Sequence, residues 1–323
     1  MNARSRSRLR VLLIALSLVG AQAAGAADLS GKPVHLVVPY PAGGTIDVVA
    51  RLLGAQLRER WQVPVIVENR VGGNGAVGVE YVMRSAGDGS TLLFNGSPLV
   101  TVPHLQRTNY AVGRDLTAIV ETAELDFVLT ASKRSGITSM EALLARARAV
   151  PGRLNYGSGG NGSLPHLNVE LLKSVAAIDL THIPYKGNGL AVQALMAGEV
   201  DLTFVDTSSI MPLVRSGAVR ALMVTGHRSI DGLAGVPWFD SLYPGRGIDA
   251  WHGLFGPAGM ASDVVERIAA DVRAVLGSSD LSRRFREMGF EPTGRGPAEF
   301  TAIVRRDDER WGAVIRANGI RGD

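Results

Sequence analysis

Short apolar runs alternate along this chain with stretches whose apolar residues recur every three or four positions. That alternation is the mark of strands interleaved with amphipathic helices. The runs at 34–38, 63–67, 91–94, 127–131, 154–156, 180–183, 200–205 and 219–225 predict strands. Helical spacing predicts helices over 46–60, 77–85, 139–149, 165–174, 190–197 and 208–216, the third opening on a capping box at Thr138-Ser139-Met140-Glu141. Strand–helix alternation of this kind predicts the α/β class, with parallel sheets covered on both faces.

The pattern changes near Ser262, after which the chain reads as helix only, over 263–276, 281–288 and from Pro297 to about residue 317. A strand-like segment at 251–257 precedes these helices. The arrangement predicts a discontinuous first domain, residues 27–126 with 251–323, and a second domain over 127–250. Two segments, near 126–131 and 251–257, would cross between them.

The N-terminal residues have a different purpose. Arg4, Arg6, Arg8 and Arg10 precede an apolar core at 11–19, and small residues lead to Ala24-Gly25-Ala26. This predicts a secretory signal peptide over 1–26, its core too short to span a membrane. No cysteine follows to carry a lipid. Four of the 34 basic residues lie in this segment and none of the 30 acidic ones, so the mature chain balances at 30 against 30. A neutral chain without a basic stripe gives no support to nucleic-acid binding. The absence of cysteine excludes disulfides, thiol catalysis and thiolate metal sites. The expectation is a soluble periplasmic protein.

Three glycine-rich strand-to-helix junctions stand out: Pro41-Ala42-Gly43-Gly44-Thr45, Gly72-Gly73-Asn74-Gly75, and Gly157-Ser158-Gly159-Gly160-Asn161-Gly162-Ser163. Free N–H groups and the helix dipole make such a junction an anion site without any basic side chain. The second and third also match G-x-G-x-x-G, but the strands that follow end at Asn95 and Tyr185 rather than at an acidic residue, so a dinucleotide site is not predicted. A small carboxylate suits them better, with Gly43, Gly44, Thr45, Ser158, Gly162, Ser163 and His166 as candidate ligands. Asn95, Ser97 and Asp206 join them at strand ends, Asp206 either meeting a ligand ammonium or capping the next helix, and Tyr185-Lys186-Gly187 could line the same cleft. Asp47 reads as a first-turn partner of the helix dipole rather than a ligand contact. There is no G-x-S-x-G, no H-E-x-x-H and no Walker A lysine, and the six histidines show no paired metal spacing. No catalytic residue, cofactor or metal is predicted.

Pro39-Tyr40-Pro41-Ala42-Gly43-Gly44-Thr45-Ile46-Asp47, Val67-Glu68-Asn69-Arg70, Asp88-Gly89-Ser90-Thr91-Leu92, the Leu154 to His166 stretch, Ile183-Pro184-Tyr185-Lys186-Gly187 and Trp251-His252-Gly253-Leu254-Phe255 together resemble the Bug family, the periplasmic substrate-binding components of tripartite tricarboxylate transporters. The likeness spans nearly the whole mature chain. It implies a two-domain periplasmic binding protein of the Venus-flytrap, type II-like kind with two crossover strands. A carboxylated solute would be held in the cleft by backbone amides, hydroxyls and bridging waters. Carried over, Gly43, Gly44 and Thr45 would contribute from one side, and Ser158, Gly162, Ser163 and His166 from the other, with Asp206 at the edge. Ser90, Trp238-Phe239-Asp240 and Gly259-Met260-Ala261 depart from the family pattern, which bears on which solute is bound. The expected partners are a small organic anion and, transiently, membrane transporter subunits, with the protein a monomer. The alternatives are a ligand-dependent partner of a membrane sensor, and a secreted hydrolase or isomerase.

Overall fold

The computed structural model describes residues 31–226, 230–248 and 250–322, so the signal peptide predicted over 1–26 lies outside the described residues. The chain runs through β1 (Val34–Val38), α1 (Thr45–Trp61), β2 (Val65–Asn69), α2 (Ala76–Met83), β3 (Thr91–Gly96), α3 (Pro98–Leu105) and β4 (Leu116–Leu125). It continues through β5 (Phe127–Ser132), α4 (Met140–Ala149), β6 (Asn155–Ser158), α5 (Leu164–Ala176), β7 (Thr181–Pro184), α6 (Asn188–Ala197), β8 (Leu202–Asp206), α7 (Thr207–Arg215) and β9 (Val219–Val224). It returns through β10 (Ala250–Pro257), α8 (Ser262–Leu276), α9 (Ser279–Glu287), β11 (Phe290–Pro292) and α10 (Pro297–Ala317).

Two sheets result. The first has the order β11-β4-β10-β3-β1-β2 and the second β7-β6-β8-β5-β9. Only Asp126 separates β4 in the first sheet from β5 in the second. Its carbonyl accepts from Thr207 N at 3.0 Å, and Phe127 and Thr225 exchange hydrogen bonds beside it. The return passes into β10, which lies between β3 and β4.

The sheets are mixed, not parallel as expected. β1 pairs in parallel with β2 and β3, and β6 with β7 and β8, but β10 is antiparallel to both its neighbours and β5 to both of its own. The reason is topological: β4 carries the chain out of the first sheet and β10 brings it back, so adjacent crossing strands must run in opposite directions. The C-terminal part is also not helix only, since β11 pairs with β4. The cap of α4 sits one residue later than read, with Ser139 Oγ accepting from Ala142 N at 3.2 Å. Among the described residues no helix is long and apolar enough to cross a membrane.

The core follows the strand periodicity. Val34, Leu36 and Val38 face α1 and α8, packing with Leu53, Leu57, Ile268 and Val272, whereas Val37 points into the opposite layer with Val79 and Val82 of α2. β1 is therefore buried on both faces, as a parallel central strand should be. Trp61 Nε1 donates to Asp271 at 2.8 Å, tying α1 to α8.

One buried charge cluster marks the β4–β11 edge. Glu121 has no exposed surface, and both its oxygens accept from Arg295 Nη1, at 2.9 and 3.0 Å. Arg295 also holds Glu124 and Glu299. Burial pushes the Glu121 carboxyl up to about 7, against the pull of Arg295 and with the Glu124 charge adding to the rise. A carboxyl whose folded value is raised stabilises the fold fully below its unfolded value, near 4.5, and that stability is lost as pH rises through about 7. Urea midpoints should therefore fall between pH 5 and 8 by the equivalent of up to about 3 kcal/mol, and Glu121→Gln should flatten that slope.

Candidate functional site

A cavity of about 620 Å³ lies where the carboxyl ends of strands from the two sheets meet. Pro39, Tyr40 and Pro41 after β1 form part of the wall, as do Val71, Gly72, Asn74 and Gly75 after β2. α3 supplies Thr101, Val102 and Leu105, and the turn between β6 and α5 supplies residues 159–164 from the other side. Parallel strands end at a common edge, so β1 and β2 deliver their turns to one rim and β6 delivers its own to the facing rim.

The turn into α5 is built to leave donors unused. Ser163 is the N-cap with an extended backbone but makes no side-chain cap, and its buried Oγ has no hydrogen-bond partner among the described residues. Pro165 occupies the first turn, and the first N–H groups of the helix have no acceptor within it. Gly162, at φ 74°, turns the chain in a left-handed conformation. Its N–H donates to His166 Nδ1 at 3.0 Å. His166 stacks on His182 with ring centres 3.9 Å apart, and His182 Nε2 lies 2.6 Å from Ser158 Oγ. Ser158 Oγ accepts in turn from Gly160 N at 3.2 Å. Ser158 and His166 thus brace the loop from behind, and Gly162 and Ser163 reach the cavity.

The facing loop is held by Asp47. Its Oδ2 accepts from Gly43 N and Arg51 Nε, both at 2.9 Å, and its Oδ1 from Asn69 Nδ2 at 2.8 Å. Asn69 Nδ2 also reaches the Tyr40 carbonyl at 3.0 Å. Burial alone would push the Asp47 carboxyl up, but Arg51, the Gly43 N–H and Asn69 outweigh it and hold the group down at about 2. The stabilisation is present above the unfolded value near 3.8 and is lost as pH falls through about 2. Asp47→Ala should release the Tyr40–Gly44 loop at a cost of roughly 2–4 kcal/mol. Chemical denaturation at pH 7 measures it, and at pH 2 the difference from the parent should shrink.

The other sequence candidates are placed as follows. Gly43 spends its N–H on Asp47, Gly44 N bonds the Pro41 carbonyl at 3.4 Å, and both lie exposed with Thr45 just past the cavity wall. Asn95 and Ser97 are buried behind it: Asn95 accepts from Gly96 N, and Ser97 Oγ accepts from Trp251 N at 3.0 Å, stitching β3 to β10. Asp206 caps α7, accepting from Ser209 N at 2.9 Å. That helix borders a second cavity of about 560 Å³, in which Thr207, Ser208 and Arg215 face Arg286 and Glu291. The cations there are engaged, Arg215 with Asp231 and Arg286 with Glu291. Tyr185, Lys186 and Gly187 do not line the first cavity.

Sequence reasoning missed Tyr40, Asn74, Thr101, Gln106 and Asn161 as wall residues. Asn74 was in view within a glycine-rich junction; its amide donates to Gln106 Oε1 at 2.8 Å, and Gln106 Nε2 donates to the Gly73 carbonyl at 2.9 Å. Thr101 and Gln106 arrive with α3, which carries Val100-Thr101-Val102-Pro103 and has no helical signature. Burial of the Tyr40 phenol raises it well above its ordinary value, so it stays a neutral hydroxyl beside Gly75.

Residues 49–320 match the family described as tripartite tricarboxylate transporter family receptor. The chain is 30% identical over 320 residues to protein BugT of Bordetella pertussis, covering 97% of this chain and 98% of the other. Among solved structures, one from R. palustris with adipate is 31% identical, with a TM-score of 0.72 over 90% of this chain and 98% of that one. MatC from Rhodopseudomonas palustris with bound malate is 28% identical, with a TM-score of 0.68 over 88% and 99%.

Proposed function

The chain belongs to the tripartite tricarboxylate transporter receptor family, and from that premise we propose that it captures a small carboxylate between its two sheets for a transporter of that type. The family is one of transporter receptors, not of enzymes. The observation that carries the reading is the start of α5: an unpaired Ser163 hydroxyl and, beside it, the Leu164 N–H at a helix N-terminus, both on residues that line a cavity between two sheets. Solved relatives with adipate and malate support a carboxylate as the guest.

In this reading the lobes are residues 27–126 with 251–323, and 127–250, and they close about the β4–β5 and β9–β10 crossings. Ser163 Oγ and the Leu164 N–H receive the carboxylate, replacing its hydration with donors already in place, while the Gly162 N–H stays on His166 and fixes the turn. Closure brings the exposed Gly44–Thr45 turn onto the same anion. Ser158, His166, Asn95 and Ser97 hold these donors in position. The precursor is cleaved near Ala26 and the mature protein works as a periplasmic monomer, docking transiently on membrane subunits.

Titration of the mature chain with mono-, di- and tricarboxylates, amino acids and aromatic acids tests the proposal. At least one acid should raise Tm, by the equivalent of about 2.7 kcal/mol at a hundred times its Kd. Ser163→Ala should weaken that acid roughly tenfold or more. No shift with any acid would remove the proposal.

A further inference from the structure

The side chains on the cavity wall say how much charge the guest carries. Among the described residues the wall holds no Lys, Arg, His, Asp or Glu. The ionised groups nearest in sequence are engaged elsewhere or turned away. Arg70, beside Val71, pairs with Glu68 at 2.8 Å and lies over the Tyr81 ring at 3.5 Å. His104, beside Leu105, bonds Asp308 at 2.8 Å. Arg107 and Arg321, beside Gln106 and Gly322, are exposed and outside the wall, and Asp47 is saturated by Arg51, Asn69 and Gly43.

Besides the neutral polar side chains of Tyr40, Asn74, Thr101, Gln106, Asn161 and Ser163, the wall carries an apolar stretch of Val71, Val102, Leu105, Leu164, Pro39 and Pro98. Val71 is 53% exposed, a large apolar side chain left uncovered beside the cavity. A hydrocarbon guest would remove that surface from water.

A helix N-terminus presents roughly half a positive charge, enough to favour one carboxylate. A tricarboxylate would bring two further charges against hydrocarbon and neutral amides, with no cation to meet them. An amino acid would bring an ammonium and find no carboxylate on the wall. Asp206, the acid the sequence offers for that role, caps α7 at the other cavity.

Resting on the carboxylate reading above, we infer that the preferred guest is a monocarboxylate with an apolar body, an aromatic ring or a chain of several methylenes. Its single carboxylate sits at the start of α5, and its body lies along Val71, Val102 and Leu105. A guest of that shape fits within about 620 Å³.

Calorimetry with phenylacetate, octanoate, phenylacetamide, adipate, citrate and glutamate tests this on the mature chain. Phenylacetate or octanoate should bind most tightly, with citrate and glutamate at least a hundredfold weaker and the neutral amide at least thirtyfold weaker than its acid. Val71→Lys, at an exposed position that should not disturb folding, should weaken the monoacid about tenfold and strengthen citrate by a similar factor. If adipate, citrate or glutamate binds more tightly than either monoacid, the inference is overturned while carboxylate capture stands. An unchanged citrate-to-monoacid ratio in Val71→Lys also overturns it. If no acid binds at all, carboxylate capture itself falls, and this inference with it.

Discussion

Gly162→Val is expected to weaken ligand binding by roughly 30- to 1,000-fold, about 2–4 kcal/mol. Two costs coincide at this position. The backbone has φ 74°, where a side chain meets its own carbonyl and a β-branched one fares worst. A Cβ would also stand 2.5 Å from Leu105 Cδ1 and 2.9 Å from Cδ2, on the facing wall of the cavity. Relief requires the loop to move, and the loop carries Ser163 and the start of α5. The two costs separate experimentally. Leu105→Ala in the Gly162→Val background should recover the part due to crowding and leave the backbone part, and a double-mutant cycle by calorimetry measures the split. Circular dichroism should show the α/β content of the parent in both variants.

Asp307→Ala is expected to be the most destabilising single change, by about 3–5 kcal/mol. Asp307 is fully buried on α10, and its Oδ2 accepts from Trp251 Nε1 at 2.9 Å while Oδ1 accepts from Arg310 Nη2 at 2.8 Å. Trp251 lies on β10, packed edge-on against Phe300 with ring centres 5.2 Å apart. Alanine would strand the Trp251 indole N–H in the core, on the strand that returns the chain to the first sheet, and would take an acceptor from the Arg310 guanidinium on α10. Asp307→Asn keeps an acceptor for the indole and should cost less than alanine. Urea denaturation measures both. The contrast with Gly162→Val is diagnostic: Asp307→Ala should lower Tm yet keep the ligand-induced rise, whereas Gly162→Val should lose the rise.

Elements whose signals are local were legible in the sequence. α10 opens on Pro297 and ends at Ala317, as its proline start and apolar spacing predict, and β1 matches its apolar run residue for residue. β4 was not read, because Glu121, Thr122 and Glu124 interrupt its apolar run; the partner that makes Glu121 tolerable there, Arg295, is 174 residues away. α3 was hidden by Val100-Thr101-Val102 and by Pro103 within it. Strand direction depends on which strand carries the chain across and which returns it, and no local pattern reports that.

The site divides in the same way. Gly162 and Ser163 were legible as glycine and cap chemistry at a strand-to-helix turn, and they stand on the cavity wall. The Gly43 N–H looked free in sequence, but the first turn of α1 folds Asp47 back onto it, a contact across four residues. Asp206 had two readings, ligand partner or helix cap, and it makes the cap contact. Thr101 and Gln106 could not be assigned before α3 was known to face the cavity.

A crystal structure of the mature chain with whichever acid raises Tm most would test the central claim directly. The predicted result places its carboxylate within hydrogen-bond distance of Ser163 Oγ and the first N–H groups of α5, with Leu105 and Val71 against its body. An acid held instead between Thr207, Arg215 and Arg286 would contradict the account.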